Sequence, residues 1–327
     1  MATNPEMLTP SEASSRDAGL SLNTTFTVVG DVDGYEKSVA GVNIEAIRTG
    51  VGFGPNHVVT TAGDGFIATA VSTRFPMMTT TTIGDDRIIA GTIVSAPPGT
   101  KWCGIELEPG AVLLYGPGAL HTAMNPAGVS FAFAVASHTQ IRDLALHQGM
   151  RLRPPPDGQV HLLQPNDEAR GLSRTLRSTV DAAAKGVDPR WNREDDVLQA
   201  MARVIARNES DIRVGARRVI DDRRIIADCV SYAESIKRIP TMRELCMVTF
   251  VSERRLRMAF VSSFGLPPMA FFRTWGMNAA RRAFIDAEPD AVTVSDVAIG
   301  CGFAHLGRFA ARYRQMFGEL PSETLAG

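Results

Sequence analysis

The sequence predicts an α+β protein of two domains, with β-structure in its amino-terminal part and only helices in its carboxyl-terminal part. Short runs rich in Val, Ile, Thr and Phe recur between glycine- and proline-bearing turns over residues 25–136, as in a sandwich or small barrel. Beyond about residue 138, apolar residues recur at helical spacing instead. We therefore divide the 327 residues into a disordered tail (1–22), a β-rich domain (23–140), a helical segment with a linker (141–222) and an all-helical domain (223–327).

Composition limits the class of protein. Hydrophobic residues make up 44% of the chain and charged residues 21%, which is typical of a soluble globular protein. No apolar run approaches the ~18 residues of a membrane span, and the amino terminus lacks the basic region and apolar core of a secretory signal. The four cysteines lie far apart and form no C-x-x-C pair, so we expect free thiols. These features predict a cytoplasmic protein without membrane contacts.

Seven runs in the amino-terminal part have the length and composition of β-strands. They are TFTVVG, VNIEAIRTG, HVVTTAGDG, FIATAVS, RIIAGTIVSAPPG, AVLLYGPG and VSFAFAVAS. Two later stretches have apolar residues three or four positions apart and predict helices on either side of a KGVDPRW turn. A polar connector, NESDIRVGARR, places the boundary of the last domain near residues 208–222.

The last domain contains an internal repeat, since residues 243–268 resemble residues 295–322. Matching positions lie 52 or 53 residues apart, because the second copy has one extra residue. Each copy is predicted to hold two helices joined by a short turn, which is the helix-turn-helix pattern.

In the first copy, Thr241 and Ser252 are placed to cap two successive helices. An apolar stripe with a period of four residues must face the core of the domain, and it consists of Leu256, Phe260 and Phe264. The remaining surface of this second helix is predicted to contact a partner through Arg254, Arg255, Arg257 and Met258.

In the second copy, Thr293 is placed to cap a helix that ends at Gly300. The buried stripe of the following helix is predicted to be Phe309, Tyr313 and Phe317. The opposite side carries small residues, which let the backbone approach a surface closely, and arginines that reach towards it: Gly307, Arg308, Ala311 and Arg314.

The glycine-rich segment AIGCGFAHLGRF (298–309) allows three interpretations: a phosphate-binding loop, a Cys/His metal site, or the turn of the second copy. Its glycines do not fit the phosphate-loop motifs. Cys301 and His305 have no second ligand pair at zinc-like spacing. We therefore expect a turn in which Gly302 reverses the chain and Phe303 and Phe309 anchor it in the core.

A predicted helix over residues 266–286 joins the two copies. Twenty residues at ~1.5 Å each form a rod of roughly 30 Å. Successive major grooves on one face of DNA lie ~34 Å apart, so the rod holds two helices at nearly the spacing of adjacent grooves. Residues 223–327 also carry 14 Lys and Arg against 10 Asp and Glu, and 13 of those cations are arginine, which suits phosphates and guanine edges. Double-stranded DNA is the predicted partner.

These residues resemble the DNA-binding domain of the AraC/XylS family of bacterial transcription regulators. The resemblance is carried by VAIGCGF, GRF and FGELPSETL in the second copy, FGLPP at the end of the first, and AARRAF in the joining helix. The layout of the amino-terminal part is similar to the sensor half of that family, which implies a cupin-like β-barrel followed by dimerisation helices. The family often has arginine at position 276, and we expect Gly276 to soften the rod, since helical glycine costs ~1 kcal/mol.

The resemblance also implies which residues contact bases. In the first copy these are Arg254, Arg257 and Met258, and in the second they are Leu306, Gly307, Arg308, Ala310 and Ala311. Three further residues complete the predicted interface by their positions on the two helices: Arg255, His305 and Arg312. Arginine is often present in the family at position 311, so we expect Arg308, Arg312 and Arg314 to contribute more backbone contacts here.

The predicted function is that of a ligand-responsive transcription activator, nucleoid-associated and dimeric, which recognises two adjacent major grooves. Its partners would be DNA, a small effector and RNA polymerase, and we expect no catalysis, cofactor or bound metal. Two alternatives stay open. One is a ligand-independent repressor. The other is a cupin-type metal enzyme with an accessory DNA-binding domain, which would have to use His57, His121, His138, Glu106 and Glu108 although no H-x-H motif is present.

Overall fold

The computed structural model describes residues 23–52, 54–62, 65–102, 104–163, 166–184, 194–208, 213–214, 217–288 and 291–327. The predicted tail, the KGVDPRW turn and Cys103 lie outside these ranges, as do residues 209–212 and 215–216 of the predicted boundary at 208–222.

The described strands form two antiparallel sheets. In chain order they are β1 (Asn23–Val29), β2 (Asn43–Arg48), β3 (Asn56–Ala62), β4 (Phe66–Ser72), β5 (Met77–Thr82), β6 (Arg87–Ser95), β7 (Lys101–Trp102), β8 (Ile105–Glu106), β9 (Val112–Tyr115), β10 (Leu120–Asn125), β11 (Ser130–Ser137), β12 (Val160–Leu163) and β13 (Arg213–Val214). The large sheet has the order β1-β3-β4-β11-β6-β9-β12-β13, and the small sheet has the order β2-β5-β10-β7-β8. All seven predicted runs contain a strand.

The two sheets pack face to face around one apolar core. Met77 and Trp102 of the small sheet are buried there with Val58, Ile89 and Val135 of the large sheet. The expected closed barrel is not confirmed, because the described strands form a sandwich of two open sheets, each with its own edge strands. Sequence composition favoured both architectures, since alternating burial along short strands is common to them.

Helices cover the outer face of the large sheet. They are α2 (His138–His147), α3 (Asp167–Ala184) and α4 (Glu194–Ala206), while the short helix α1 (Val32–Ser38) lies between β1 and β2. Ile141, Leu172 and Met201 are fully buried against this face. The segment predicted to be helical, 141–222, also supplies β12 and β13, so it extends the large sheet as well as covering it.

The carboxyl-terminal domain is helical, as predicted. It consists of α5 (Arg217–Ile236), α6 (Met242–Thr249), α7 (Glu253–Phe264), α8 (Pro268–Ile285), α9 (Val294–Gly300), α10 (Leu306–Phe317) and α11 (Pro321–Ala326). Its first helix begins at Arg217, six residues before the predicted boundary at 223.

The outer face of the small sheet packs against this helical domain. Met78 of β5 is fully buried in the same cluster as Leu256 and Phe260 of α7, and Ile47 and Met124 lie against that cluster. The sequence did not predict β5, because this strand is buried on both faces: Met77 points into the sandwich and Met78 into the helical domain. A strand buried on both sides lacks the alternation of polar and apolar residues that identifies strands.

Gly276 allows a close approach of α8 to the loop before α6. A Cβ atom at this position would lie 2.7 Å from Cγ1 of Ile239 and 3.3 Å from the ring of Phe303. The glycine is therefore required by packing, and the contact with Ile239 opposes the softening that we expected from its helix propensity alone.

We predict opposite effects for one substitution at two helical glycines. Gly276→Ala lowers the free energy of unfolding by about 1–3 kcal/mol, because overpacking outweighs the gain in helix propensity. Gly171→Ala in α3, where nothing lies within 4 Å of the added Cβ, raises it by up to ~1 kcal/mol. Urea unfolding of both variants measures the difference, and a stabilised Gly276→Ala protein would contradict the packing argument.

Candidate nucleic-acid interface

Capping residues fix the start of both helices in the first helix-turn-helix unit. Thr241 caps α6 with a reciprocal capping box to Glu244, and Ser252 accepts a hydrogen bond from the amide of Arg255 at the start of α7. Arg238 donates to both carboxylate oxygens of Glu244, at 3.2 and 2.6 Å. These hydrogen bonds and that of the Thr241 amide hold the pKa of Glu244 at about 2. The predicted caps are confirmed, and they set the direction in which α7 leaves the turn.

The turns of both units contain a residue with positive φ, but the type of residue differs between them. Gly302 has a φ of 95° between α9 and α10. The corresponding turn between α6 and α7 places Phe250 at a φ of 54°, with 94% of its surface exposed. Left-handed backbone favours glycine, so the second turn is the less strained of the two.

The segment 298–309 is a turn, as predicted. The amide of Phe303 donates to the carbonyl of Ala298 at 2.9 Å, and the amide of Gly302 donates to that of Ile299 at 2.9 Å. The rings of Phe303 and Phe309 are in contact, with centroids 4.9 Å apart and planes tilted by 47°. Thr293 and Asp296 form a capping box at the other end of α9. The turn thereby presents His305 as the exposed N-cap residue of α10.

The surfaces of α7 and α10 that face away from the core carry most of the predicted interface. Exposed there are Arg254, Arg257, His305, Leu306, Gly307, Arg308, Ala311 and Arg312, with Met258 and Ala310 half-buried. Arg257 is paired with Glu253 at 2.6 Å on the exposed surface, an interaction of little net stability that a phosphate or base could replace. Among the described residues, no carboxylate lies within 4.0 Å of Arg254, Arg308 or Arg312.

Arg255 has a different environment from its neighbours. Its guanidinium forms a short ion pair with Asp222 of α5, whose side chain is only 6% exposed. Ser262 donates to the second carboxylate oxygen of Asp222 at 2.9 Å. Arg255 therefore compensates a buried charge between α5 and α7, which a helical wheel of α7 could not reveal because the partner lies 33 residues away.

A groove of about 840 Å³ lies between α10, the start of α6 and the first half of α8, and the ionisable side chains that line it are basic. His305, Arg308 and Arg312 line it from the second unit, and Arg273 lines it from the middle of α8. Sequence reasoning missed Arg273 for a physical reason. A helical wheel places it on the same side as Met277, Ala280 and Phe284, which are all buried. In the structure Arg273 is nevertheless exposed and lines this groove beside the side chains of the second unit.

Other types of site receive no support from the described parts of the chain. Within them, no group of three His, Cys, Asp or Glu side chains is close enough to hold a metal ion. His121 is hydrogen-bonded to the hydroxyl of Tyr115 at 2.8 Å, and Glu106 accepts from the amide of Gly99. Of the helices described, none is both long and apolar enough to cross a bilayer.

Several known proteins are similar to part of this chain. A family model described as a helix-turn-helix domain matches residues 245–327. The XylDLEGF operon transcriptional activator 2 of Pseudomonas putida is 36% identical over 93 residues, 28% of this chain and 59% of that protein. The probable thc operon regulatory protein of Rhodococcus erythropolis is 36% identical over 102 residues, 31% of each chain. The match thus covers less than two thirds of either relative.

One solved structure is also similar in sequence to part of this chain. The crystal structure of a probable AraC family transcriptional regulator from Rhodopseudomonas palustris CGA009 is 40% identical, over 32% of this chain and 95% of its own, with a TM-score of 0.28.

Two adjacent arginines should differ in their contribution to stability. Arg255→Met leaves the Asp222 carboxylate buried without its cation, so we expect a loss of about 3 kcal/mol in the free energy of unfolding. Arg254→Met, the matched control one residue away, should change it by less than ~0.5 kcal/mol. Urea unfolding measures both. Equal stabilities would mean that the Arg255–Asp222 pair is weak and that Arg255 is available to a ligand.

Proposed function

We propose that the chain belongs, through residues 245–327, to the AraC/XylS family of transcription regulators and activates transcription by binding a specific double-stranded DNA site. In this proposal α7 and α10 are the first and second recognition helices, and they enter two adjacent major grooves. The observation that carries it is the pair of exposed, arginine-bearing helix surfaces joined by the 18-residue helix α8, which at ~1.5 Å per residue is about 27 Å long.

We assign different roles to the residues of this interface. Base contacts are proposed for Arg254, Arg257 and Met258 of α7 and for Leu306, Gly307, Arg308, Ala310 and Ala311 of α10. Phosphate contacts are proposed for His305 and Arg312, and also for Arg273, because it lines the same groove as those two side chains. Arg255 is omitted because Asp222 already engages its guanidinium.

The remaining parts of the chain are proposed to regulate this binding. Residues 23–140 would bind a small effector, 141–222 would contribute to a homodimer, and 223–327 would contact DNA and, for activation, RNA polymerase. A cavity between the two sheets supports the effector role, since it is lined mainly by apolar and aromatic side chains with a few polar groups. No enzymatic step is proposed.

Base and phosphate contacts predict different responses to substitution. Arg308→Ala should lower the preference for DNA selected from a randomised pool over random DNA by ~1–3 kcal/mol. Arg273→Ala should weaken both equally and reduce the slope of log affinity against log salt by about 1. Arg170→Ala on α3, whose partner is Asp167, is the control and should change neither. Titrations by fluorescence anisotropy at several salt concentrations measure all three variants.

The outcomes separate the parts of the proposal. Equal losses on selected and random DNA would reassign Arg308 to a phosphate. If no sequence is enriched from the pool, and the full chain has no affinity for DNA at low salt, the proposed function is wrong.

A further inference from the structure

The cavity between the two sheets has an uncharged wall. It measures about 50 Å³, and its aromatic side chains include Trp102, Tyr115 and Phe131. Its polar groups are largely paired with each other: the Trp102 indole donates to Asn125 at 3.1 Å, and Tyr115 and His121 share a hydrogen bond of 2.8 Å. Among the described residues that line it, none is Lys, Arg, Asp or Glu. A charged ligand would lose its hydration without gaining a counter-ion, so the lining favours an uncharged molecule.

One wall of this cavity is the short helix α1. Its Tyr35 is fully buried and lines the cavity, together with Val39 directly after the helix. The other walls belong mainly to strands that are hydrogen-bonded into the two sheets. An apolar cavity of about 150 Å³ accommodates benzene, so a ring-sized ligand in this smaller space requires a wall to move. The seven-residue helix takes no part in the backbone ladders of the two sheets and is the element that can yield.

The opposite side of α1 contacts the DNA-binding domain. Asp33 accepts a hydrogen bond from Nε of Arg282 at 2.5 Å, and Glu36 accepts one from the same guanidinium at 3.1 Å. Glu36 also accepts from the amide of Ala46 in β2 at 2.6 Å. Burial raises the pKa of Glu36, although the Ala46 amide and Arg282 favour its ionised form. The group is therefore partly dehydrated, and its contacts are sensitive to the position of α1.

Arg282 lies in the half of α8 that supports the second recognition helix. Two residues further along, Phe284 is buried against Phe309 and Tyr313 of α10. Asn278, one turn earlier in α8, exchanges hydrogen bonds of 3.0 and 2.9 Å with the backbone of Arg48 in β2. The cavity wall and the second recognition helix are thus connected through one ion-paired side chain.

We propose that the cavity takes a small, uncharged, largely aromatic molecule, and that α1 transmits its occupancy to the second recognition helix through the contact of Asp33 and Glu36 with Arg282. The proposal rests on the sensor role given above to residues 23–140, and specifies its ligand class and its route of regulation. A ligand that displaces Tyr35 moves α1 and weakens its hold on α8, so α10 can change its position relative to α7. The coupling arises because the ligand has different affinities for two arrangements of the protein: one in which Asp33 and Glu36 contact Arg282, and one in which α1 has moved away.

Full-length protein and three small probes test the ligand class. Benzyl alcohol and indole are uncharged and carry one ring system with a single polar group, while benzoate is the charged counterpart of benzyl alcohol. We expect the uncharged probes to raise the Tm of the chain and benzoate to leave it unchanged. Stabilisation by benzoate equal to that by benzyl alcohol would overturn the ligand class, as would the absence of any shift with either uncharged probe.

Variants test the route of coupling. Saturating benzyl alcohol should change the affinity of the wild-type chain for its selected DNA at least fivefold. In Arg282→Met the probe should still raise the Tm, but its effect on DNA affinity should fall below twofold. Glu36→Gln, which keeps an acceptor for the Ala46 amide and removes the charge, should behave likewise. Arg281→Met is the matched control: its neighbouring guanidinium pairs with Glu319 inside the DNA-binding domain, so the probe should keep its full effect.

The assay distinguishes failure of the coupling through α1 from failure of the proposed function. If the probe binds and still changes DNA affinity fivefold in both Arg282→Met and Glu36→Gln, the coupling through α1 is wrong. Binding of selected DNA without probe reports the proposed function separately, because it depends on α7 and α10 and is measured before any probe is added.

Discussion

The packing of α8 constrains the rest of the DNA-binding domain, because one helix takes part in two hydrophobic cores. Its first half buries Phe271 and Phe272 with α5 and α7, and its second half buries Met277 and Phe284 with α9 and α10. Each helix-turn-helix unit is too small to exclude water from its own stripe, so both need this shared helix. The separation of the recognition helices is consequently set by the length and straightness of α8, and Gly276 lets its midpoint contact the loop before α6.

The β-sandwich depends on the same domain in a different way. Its large sheet is covered by helices of its own half, whereas its small sheet is covered by α7 and α8. Polar contacts from Asn278 and Arg282 of α8 surround this apolar surface. Any movement within the small sheet or α1 therefore reaches α8, the helix that positions α10. The proposed link between the cavity in the sandwich and the exposed surface of α10 requires no further element.

Much of the interface could be predicted from residues close together in the sequence. Caps at Thr241 and Thr293 identify helix starts, and apolar residues four positions apart identify the buried stripes, which leaves Arg254 and Arg308 on the opposite surface. Prediction failed where the contacts or exposure of a side chain depend on residues far away in the sequence. Arg255 pairs with Asp222, and Arg273 is exposed although its helical neighbours on the same side are buried. Both outcomes depend on which helices meet, which local periodicity does not encode.

By itself the sequence determined that β-structure precedes a helical domain, and it determined the two helix-turn-helix units and the backbone turn at Gly302. Each of these follows from steric and hydrogen-bonding preferences that act within one or two turns of chain. Only the tertiary structure decided that the strands form an open sandwich, that the small sheet rests on the DNA-binding domain, and that Asp33 and Glu36 meet Arg282. Those contacts join residues about 250 positions apart, and they form because two apolar surfaces exclude water together and bring the charges at their edges within reach.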